Sequence, residues 1–146
     1  MRVETRVCFA VYSEVLSPAD LAARIGAAPT ASVVRGSRRR RPPVPVANRW
    51  SLESGLGPEA ALWRHLEALL PRVSPLAEAI TALCADEPTC GLTIVREFTA
   101  SDQEADLGFW LDENWLALLH RTGATIEADE YDYGPDEDSA ASTAPT

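Results

Sequence analysis

The sequence predicts a two-layer α+β domain, with helices packed mainly on one face of a mixed or antiparallel sheet of about five to six strands. Short runs of alternating apolar and polar residues are typical of half-buried strands, and longer runs with apolar residues every three or four positions are typical of amphipathic helices. Short connections favour local hairpins over a fully parallel sheet. A chain of 146 residues is the size of one domain, and we expect residues 1–133 to form it.

The first strand and the first helix are predicted near the N-terminus. Residues 3–12 alternate, and the second side of the alternation becomes apolar from Cys8 onward, which is typical of a central strand. Ser17 is a favourable N-cap and Pro18 suits the first helical position. A short helix is therefore expected from Pro18, with Gly26 as its stop.

Two further strands and two helices are predicted for the middle of the chain. Residues 29–36 and 48–53 each have the composition of a short strand, and the proline-rich connection between them cannot donate to a ladder. Pro58 is expected to open a longer helix, and a second helix over 76–83 follows a turn bracketed by two prolines. Together these two helices are expected to form a bent cover over the sheet.

The last third is predicted to contribute a hairpin, a helix and a final strand. Residues 91–98 and 107–111 have strand patterns and are expected to pair across a polar loop. A helix is predicted over 112–121, with Trp115 in the core, followed by a strand over 125–133. From residue 134 to 146 the chain is rich in small residues, prolines and acids, which predicts a disordered acidic tail.

The formal net charge of -9 is concentrated at one end of the chain. Residues 127–138 contain seven of the 22 acidic residues, so the rest of the chain has 15 acidic against 13 basic residues. A nearly neutral body disfavours a nucleic-acid partner, which would require a basic face. The run Arg38–Arg41 lies in a proline-rich loop without aromatic residues, so it is expected to pair with an acidic partner or with the tail.

The three cysteines, Cys8, Cys84 and Cys90, favour free thiols. Their number is odd and no CxxC spacing occurs, so neither a disulfide framework nor a zinc site is indicated. The N-terminus lacks the apolar run of a signal peptide, and no apolar run approaches the ~20 residues that cross a bilayer. We therefore expect a cytoplasmic protein that does not interact with membranes.

The candidate binding surface is the sheet face opposite the helices. Aromatic residues and arginine dominate binding hot spots, and strand alternation is expected to bring Tyr12, Arg96, Trp110, Asp129 and Tyr131 to this face or its edge. A protein or peptide partner would suit such a surface. A second minor core and a homodimer contact are the other interpretations of the same pattern.

A pocket around Arg49, Trp50, Asp129 and Tyr131 is the second hypothesis, in which the protein is a small enzyme or binds a small ligand. Asp129 and Asp132 lie on opposite sides of the predicted last strand, so no metal site is indicated, and no cofactor motif occurs.

No catalytic residues are assigned from the sequence. The two histidines, His65 and His120, have no recognisable catalytic companion, and the usual nucleophile and phosphate-binding motifs are absent from the sequence. The expected function is therefore a non-enzymatic binding protein.

A family resemblance rests on short motifs in a particular order. They are Ile25-Gly26-Ala27-Ala28-Pro29-Thr30, Gly36 ahead of a basic stretch, Trp50-Ser51-Leu52, and Gly123 followed by Asp129-Glu130-Tyr131-Asp132. Over residues 3–133 the chain resembles the bacterial family of domain of unknown function 4279 (DUF4279). The resemblance implies a small bacterial cytoplasmic protein without an established activity, and it assigns no catalytic residue. An immunity-type or accessory protein that recognises a protein or peptide partner is the leading hypothesis.

Overall fold

The computed structural model of the protein describes residues 2–36, 46–99 and 108–133. Within these ranges the chain forms five strands and four helices, which confirms the α+β class. The strands are β1 (Arg2–Ser13), β2 (Ala31–Val33), β3 (Asn48–Glu53), β4 (Thr89–Thr99) and β5 (Thr125–Asp132). The helices are α1 (Pro18–Ile25), α2 (Leu62–Val73), α3 (Ala77–Cys84) and α4 (Glu113–Thr122), with a 3₁₀ turn at Ser74–Leu76 between α2 and α3.

The five strands form one mixed sheet in the order β2-β3-β1-β4-β5. The central strand β1 pairs antiparallel with β3 and with β4, and β2 pairs antiparallel with β3. The last strand, β5, pairs parallel with β4. Because a parallel neighbour requires a crossover connection, α4 lies between β4 and β5 in the chain and packs against β4.

The core lies between the sheet and the helical layer. On β1, Val7, Phe9 and Val11 point towards the helices and are buried, as the two-residue alternation predicts. Leu52 pairs with Phe9 and Trp50 with Val11, and both pack in the same cluster. The helices thus cover one sheet face, and the other face has no helical cover within the described residues.

The helix ends follow the capping signals in the sequence. Ser17 caps α1 in a capping box with Asp20, and the chain leaves the helix at Gly26, whose φ of 83° is left-handed. Asp112 caps α4 by accepting a hydrogen bond from the backbone N–H of Trp115. At its other end α4 stops at Gly123, whose φ is 69°. These boundaries confirm the expected first and last helices.

The start of α2 differs from the expected one. Pro58 does not open the helix, which begins at Leu62 with Ala61 as N-cap. The carbonyl of Pro58 instead accepts a 2.7 Å hydrogen bond from the backbone N–H of Thr5 on β1. Pro58 therefore pairs with the part of β1 that β3 does not reach. Pro71 lies within α2 near its end, and the 3₁₀ turn connects α2 to α3 as the expected bent cover.

The predicted strand over 107–111 was wrong for the residues that the structure describes. Residues 108–112 have no regular secondary structure, and the free edge of β4 is taken by β5. A returning hairpin strand would compete for that edge. Leu107 and the predicted hairpin loop lie outside the described residues, as do Arg38–Arg41 and the predicted tail over 134–146. None of the described helices is long and apolar enough to span a membrane.

Replacing Trp115 by phenylalanine should destabilise the fold much more than the same change at Trp63. Trp115 is 2% exposed and its indole N–H donates to the carbonyl of Leu66 at 3.1 Å, whereas Trp63 is 60% exposed. Trp115→Phe removes a donor and leaves a void, so we expect a loss of about 1–3 kcal/mol in the free energy of unfolding. Trp63→Phe should change it by less than about 0.5 kcal/mol. Urea unfolding followed by circular dichroism would measure both, and equal losses would contradict the assigned packing.

Candidate functional site

Four of the expected binding residues lie on the open face, which we define as the sheet face that points away from the helices. Tyr12 and Arg49 are directly paired on β1 and β3. Asp129 and Tyr131 are on β5, next to Val95 and Glu97 of β4. Tyr12 is level with Thr89 and Asp129 with Val95, a six-residue offset of about 20 Å along β4. The structure therefore does not bring these four side chains together in one pocket.

The other three expected binding residues are not on the open face. Trp50 is completely buried on the helical side, where its indole N–H donates to the carbonyl of Ala27 at 3.0 Å. Arg96 also faces the helical side, because it pairs with the buried Thr5 on β1. Trp110 is not in the sheet at all: it lies in the irregular segment before α4 and is 74% exposed.

Arg96 is held by charge and by aromatic rings. Its Nε donates to Oε1 of Glu130 at 3.1 Å, and its Nη2 forms an ion pair with the same carboxylate. The guanidinium carbon lies 5.3 Å from the ring centre of Phe98 and 6.0 Å from that of Phe109. With only 4% of its surface exposed, Arg96 links β4 to β5 as a buried structural cation.

A polar pocket opens where β3 ends, and we call it the β3-exit pocket. Its volume is about 550 Å³. β3 stops at Glu53, opposite Cys8, whereas β1 continues to Arg2 without β3 as a neighbour. The segment 54–58 fills this side of β1 only in part, and the cavity lies between the two.

The sides of the β3-exit pocket come from both layers of the fold. Its polar and charged lining residues are Thr5, Arg6, Cys8, Arg49, Glu53, Ser54, His65 and Thr93. Of the seven expected binding residues, Arg49 alone lines it. At Gly55 the chain turns away from β3 with a φ of 79°, a left-handed conformation that favours glycine.

Ser54 and His65 form a buried pair beside the pocket. The Oγ of Ser54 lies 2.6 Å from Nδ1 of His65 and accepts a 3.2 Å hydrogen bond from the backbone N–H of Leu56. Since Oγ already accepts from Leu56, its own hydrogen is available for donation to Nδ1. Donation from Ser54 would place the hydrogen of the neutral ring on Nε2, and Nε2 has no hydrogen-bond partner among the described residues.

Burial lowers the pKa of His65 below its ordinary value of 6.5. The cause is desolvation, which penalises the imidazolium form more than the neutral ring. The peptide groups of Gly57 and Ala60 and the carboxylate of Glu59 act in the opposite direction, but they do not outweigh burial. His65 is therefore neutral at neutral pH, and a neutral ring can accept a hydrogen bond from Ser54 at Nδ1.

Arg49 is a half-buried cation without a hydrogen-bond or ion-pair partner among the described residues. Its Nε is buried and has no hydrogen-bond partner within the described residues. No described carboxylate forms an ion pair with it. The nearby Cys8 thiol has a raised pKa because it is buried, and the charge of Arg49 partly opposes that rise. The second arginine of the pocket, Arg6, is paired with Glu97 at 3.2 Å.

Within the described residues, Ser54 and His65 do not form a complete catalytic triad. Ser54 is 5% exposed, so its Oγ has little access to a substrate. No acidic side chain within the described residues hydrogen-bonds to His65 as the third member of a triad would. In the same ranges no three His, Cys, Asp or Glu side chains are grouped as a metal site.

Two of the three cysteines lie close together, away from the β3-exit pocket. Cys84 at the end of α3 and Cys90 on β4 line a separate cavity of about 370 Å³ with Tyr12. Donation of a hydrogen bond from Cys84 to Cys90 raises the pKa of the Cys84 thiol and lowers that of Cys90. All three cysteines are free thiols in the structure.

Sequence reasoning missed Ser54 and did not assign His65 to a site. A signal was present, because Leu62, His65, Leu66 and Leu69 follow the helical period and place the histidine on the buried side of α2. Ser54 follows the last residue of β3 and precedes Gly55, a position typical of a turn. Their contact spans two elements, so spacing alone does not reveal it.

The fold and the pocket together define a two-layer α+β protein with a mixed sheet, one open sheet face and a polar cavity at a strand end. The family described as a domain of unknown function (DUF4279) matches residues 3–133. The match covers most of the chain, and the protein belongs to this family. No curated protein and no solved structure matches the chain.

The buried neutral His65 should make stability depend on pH. Because its folded pKa lies below the unfolded value of 6.5, the unfolded chain takes up a proton that the folded chain does not as the pH falls through that value. The free energy of unfolding should therefore decrease between about pH 7.5 and about pH 5.5. His65→Gln should reduce this decrease, as measured by urea unfolding at both pH values. His120→Gln is the control for loss of a histidine elsewhere, and an unchanged slope in His65→Gln would contradict the assignment.

Proposed function

We propose that this protein is a non-enzymatic binding protein of the bacterial cytoplasm that holds a small ligand in the β3-exit pocket. The observation that carries the proposal is the presence of two buried nitrogen atoms without hydrogen-bond partners, Nε of Arg49 and Nε2 of His65, in residues that line one cavity. Buried polar groups in folded proteins are nearly always paired. Two exceptions at one pocket indicate that something outside the described residues completes the site.

A bound group would be more favourable than an empty cavity beside these unpaired nitrogen atoms. An unsatisfied buried donor costs about 1–3 kcal/mol, and more when the group is charged. A ligand that orders the pocket and accepts hydrogen bonds would recover part of this cost.

The size and composition of the pocket also suit a small molecule. Ligand pockets usually have volumes of about 300–1,000 Å³, with an apolar lining and a few convergent polar groups. The β3-exit pocket has a volume of about 550 Å³ and combines Val7, Leu56, Pro58 and Val95 with the polar residues described above. The ligand is therefore expected to have an apolar part as well as a polar one.

Filling the pocket from the open face should abolish ligand binding. Thr93 is a half-buried pocket residue on β4, and tryptophan is well tolerated in strands, so Thr93→Trp should occupy the cavity while keeping the fold. Glu127→Trp, on the exposed edge strand β5 and outside the pocket, is the matched control. Each immobilised protein would be exposed to a low-molecular-weight extract of the host, and retained molecules identified by mass spectrometry.

We expect a molecule that the wild-type protein and Glu127→Trp retain and that Thr93→Trp loses. If no small molecule distinguishes Thr93→Trp from the other two proteins, the proposed function is wrong.

A protein partner remains a second candidate, because β5 offers an unusual edge. It is exposed along nearly its whole length, and the sheet order leaves its outer edge unpaired within the described residues. The rings of Tyr131 and Tyr133 stack there with their centres 6.4 Å apart, and both are exposed. Such an edge suits an immunity-type or accessory protein that pairs with a strand of its partner.

Loss of the tyrosine pair should weaken binding of such a partner. In pull-down experiments from the host, Tyr131→Ala should lose a protein that the wild type and Trp63→Ala both retain, since Trp63 is also an exposed aromatic residue but lies on α2. Anchor aromatics of this kind usually contribute about 2 kcal/mol or more. If every protein that the wild type recovers is also recovered by Tyr131→Ala, the edge strand is not the recognition surface.

A further inference from the structure

We propose that the ligand of the β3-exit pocket carries a carboxylate group, and that the guanidinium of Arg49 binds it. This inference rests on the proposed function, since it names the chemical class of the molecule that the same pocket would hold. It follows from the hydrogen-bonding character and the charge of the residues that line the pocket.

The unpartnered groups at the pocket are hydrogen-bond donors. An arginine side chain carries donors only and keeps its charge. Nδ1 of His65 lies 2.6 Å from the Oγ of Ser54, and a neutral ring that accepts there carries its hydrogen on Nε2. Arg49 has no acceptor for the hydrogen on Nε within the described residues, so a group bound beside Arg49 would have to supply acceptor oxygens.

Arg49 is the primary contact because part of it is open to the pocket. Its Nε is closed to solvent, as is Nε2 of His65, but the terminal nitrogens of Arg49 are not among the buried unpartnered atoms. The half-buried side chain lines the cavity. His65 lies deeper, at 2% exposure, and supports Ser54 and the segment that encloses the ligand.

The charges indicate a single negative charge on the ligand. Arg6 is compensated by Glu97, whereas no described residue compensates Arg49. A planar carboxylate matches a guanidinium through two parallel hydrogen bonds. Glu53 lines the same pocket and would repel further negative charge, so phosphates and tricarboxylates are disfavoured relative to monocarboxylates.

The structure provides a reporter for occupancy. Cys8 lines the β3-exit pocket, and Cys84 lies in a different cavity. A ligand in the pocket should slow alkylation of Cys8 by iodoacetamide and leave Cys84 unaffected, as resolved by mass spectrometry of the two peptides. Rates are compared with and without ligand within each variant, because the charge of Arg49 itself affects the pKa of Cys8.

The test uses a panel of aliphatic and aromatic monocarboxylates with their matching primary amides, and inorganic phosphate as a second anion. Amides have nearly the same shape as the carboxylates but no charge, so the difference between the two sets measures the contribution of the carboxylate charge to binding. We expect members of the carboxylate set to protect Cys8 and their amides to protect it at least tenfold less well. Phosphate should give little protection.

Variants of Arg49 and of a control arginine, Arg64, then test whether Arg49 binds the carboxylate. Arg49→Gln should weaken carboxylate binding by about tenfold or more, the effect of losing a charge-assisted hydrogen bond, whereas Arg49→Lys should retain part of it. Arg64→Gln is the matched control, since Arg64 is exposed on α2 and lies outside the pocket. Circular dichroism would show whether each variant folds. If Arg49→Gln does not fold, the charge-conserving Arg49→Lys still allows carboxylate binding to be compared with that of the wild type.

Each result has a definite consequence. Equal protection by carboxylates and amides, stronger protection by phosphate, or undiminished binding in Arg49→Gln would overturn the carboxylate assignment. A neutral molecule retained by the wild type and lost in Thr93→Trp would leave the ligand pocket in place and refute only its carboxylate chemistry. Absence of both retention and Cys8 protection would refute the pocket itself.

Discussion

The long antiparallel pairing of β1 with β4 is the constraint on which the rest of the structure depends. It runs from Arg2 opposite Thr99 to Tyr12 opposite Thr89, and it makes β1 the middle strand of the sheet. The register decides which side chains meet the helices and which form the open face. It also leaves only one edge of β4 for β5, and the path through α4 follows from that.

Much of the fold could be predicted because several elements depend on patterns of residues that are close together in the sequence. Alternation identifies β1, and the N-cap and glycine signals identify α1 and α4, since each depends on residues a few positions apart. The segment that contains Phe109 was predicted as a strand because its pattern is equally local. Which strand occupies the edge of β4 is a long-range choice, and tertiary packing can override a local preference. The same reason applies to Pro58, whose carbonyl is used by β1 instead of opening α2.

The site was less predictable than the fold. Alternation places Tyr12, Arg49 and Asp129 on the open face, but it does not reveal their separation along the sheet. Arg96 was placed on the wrong face because Ile94 and Val95 are both apolar, so the phase of β4 is ambiguous from the sequence. A buried arginine becomes acceptable only with Glu130 beside it, and that neighbour comes from a strand 34 positions later. The contact of Ser54 with His65 is likewise a product of three-dimensional packing.

The unequal lengths of β1 and β3 fix the position of the cavity but not its chemistry. The cavity exists because β1 extends beyond the end of β3, and residues 54–58 only partly cover the part of β1 that β3 leaves unpaired. Its position is therefore a property of the backbone, whereas the groups that face into it are individual side chains. Substitutions at a few lining positions would change the shape and polarity of the cavity while leaving it in the same place. The chemistry of the cavity can therefore vary without a change of fold.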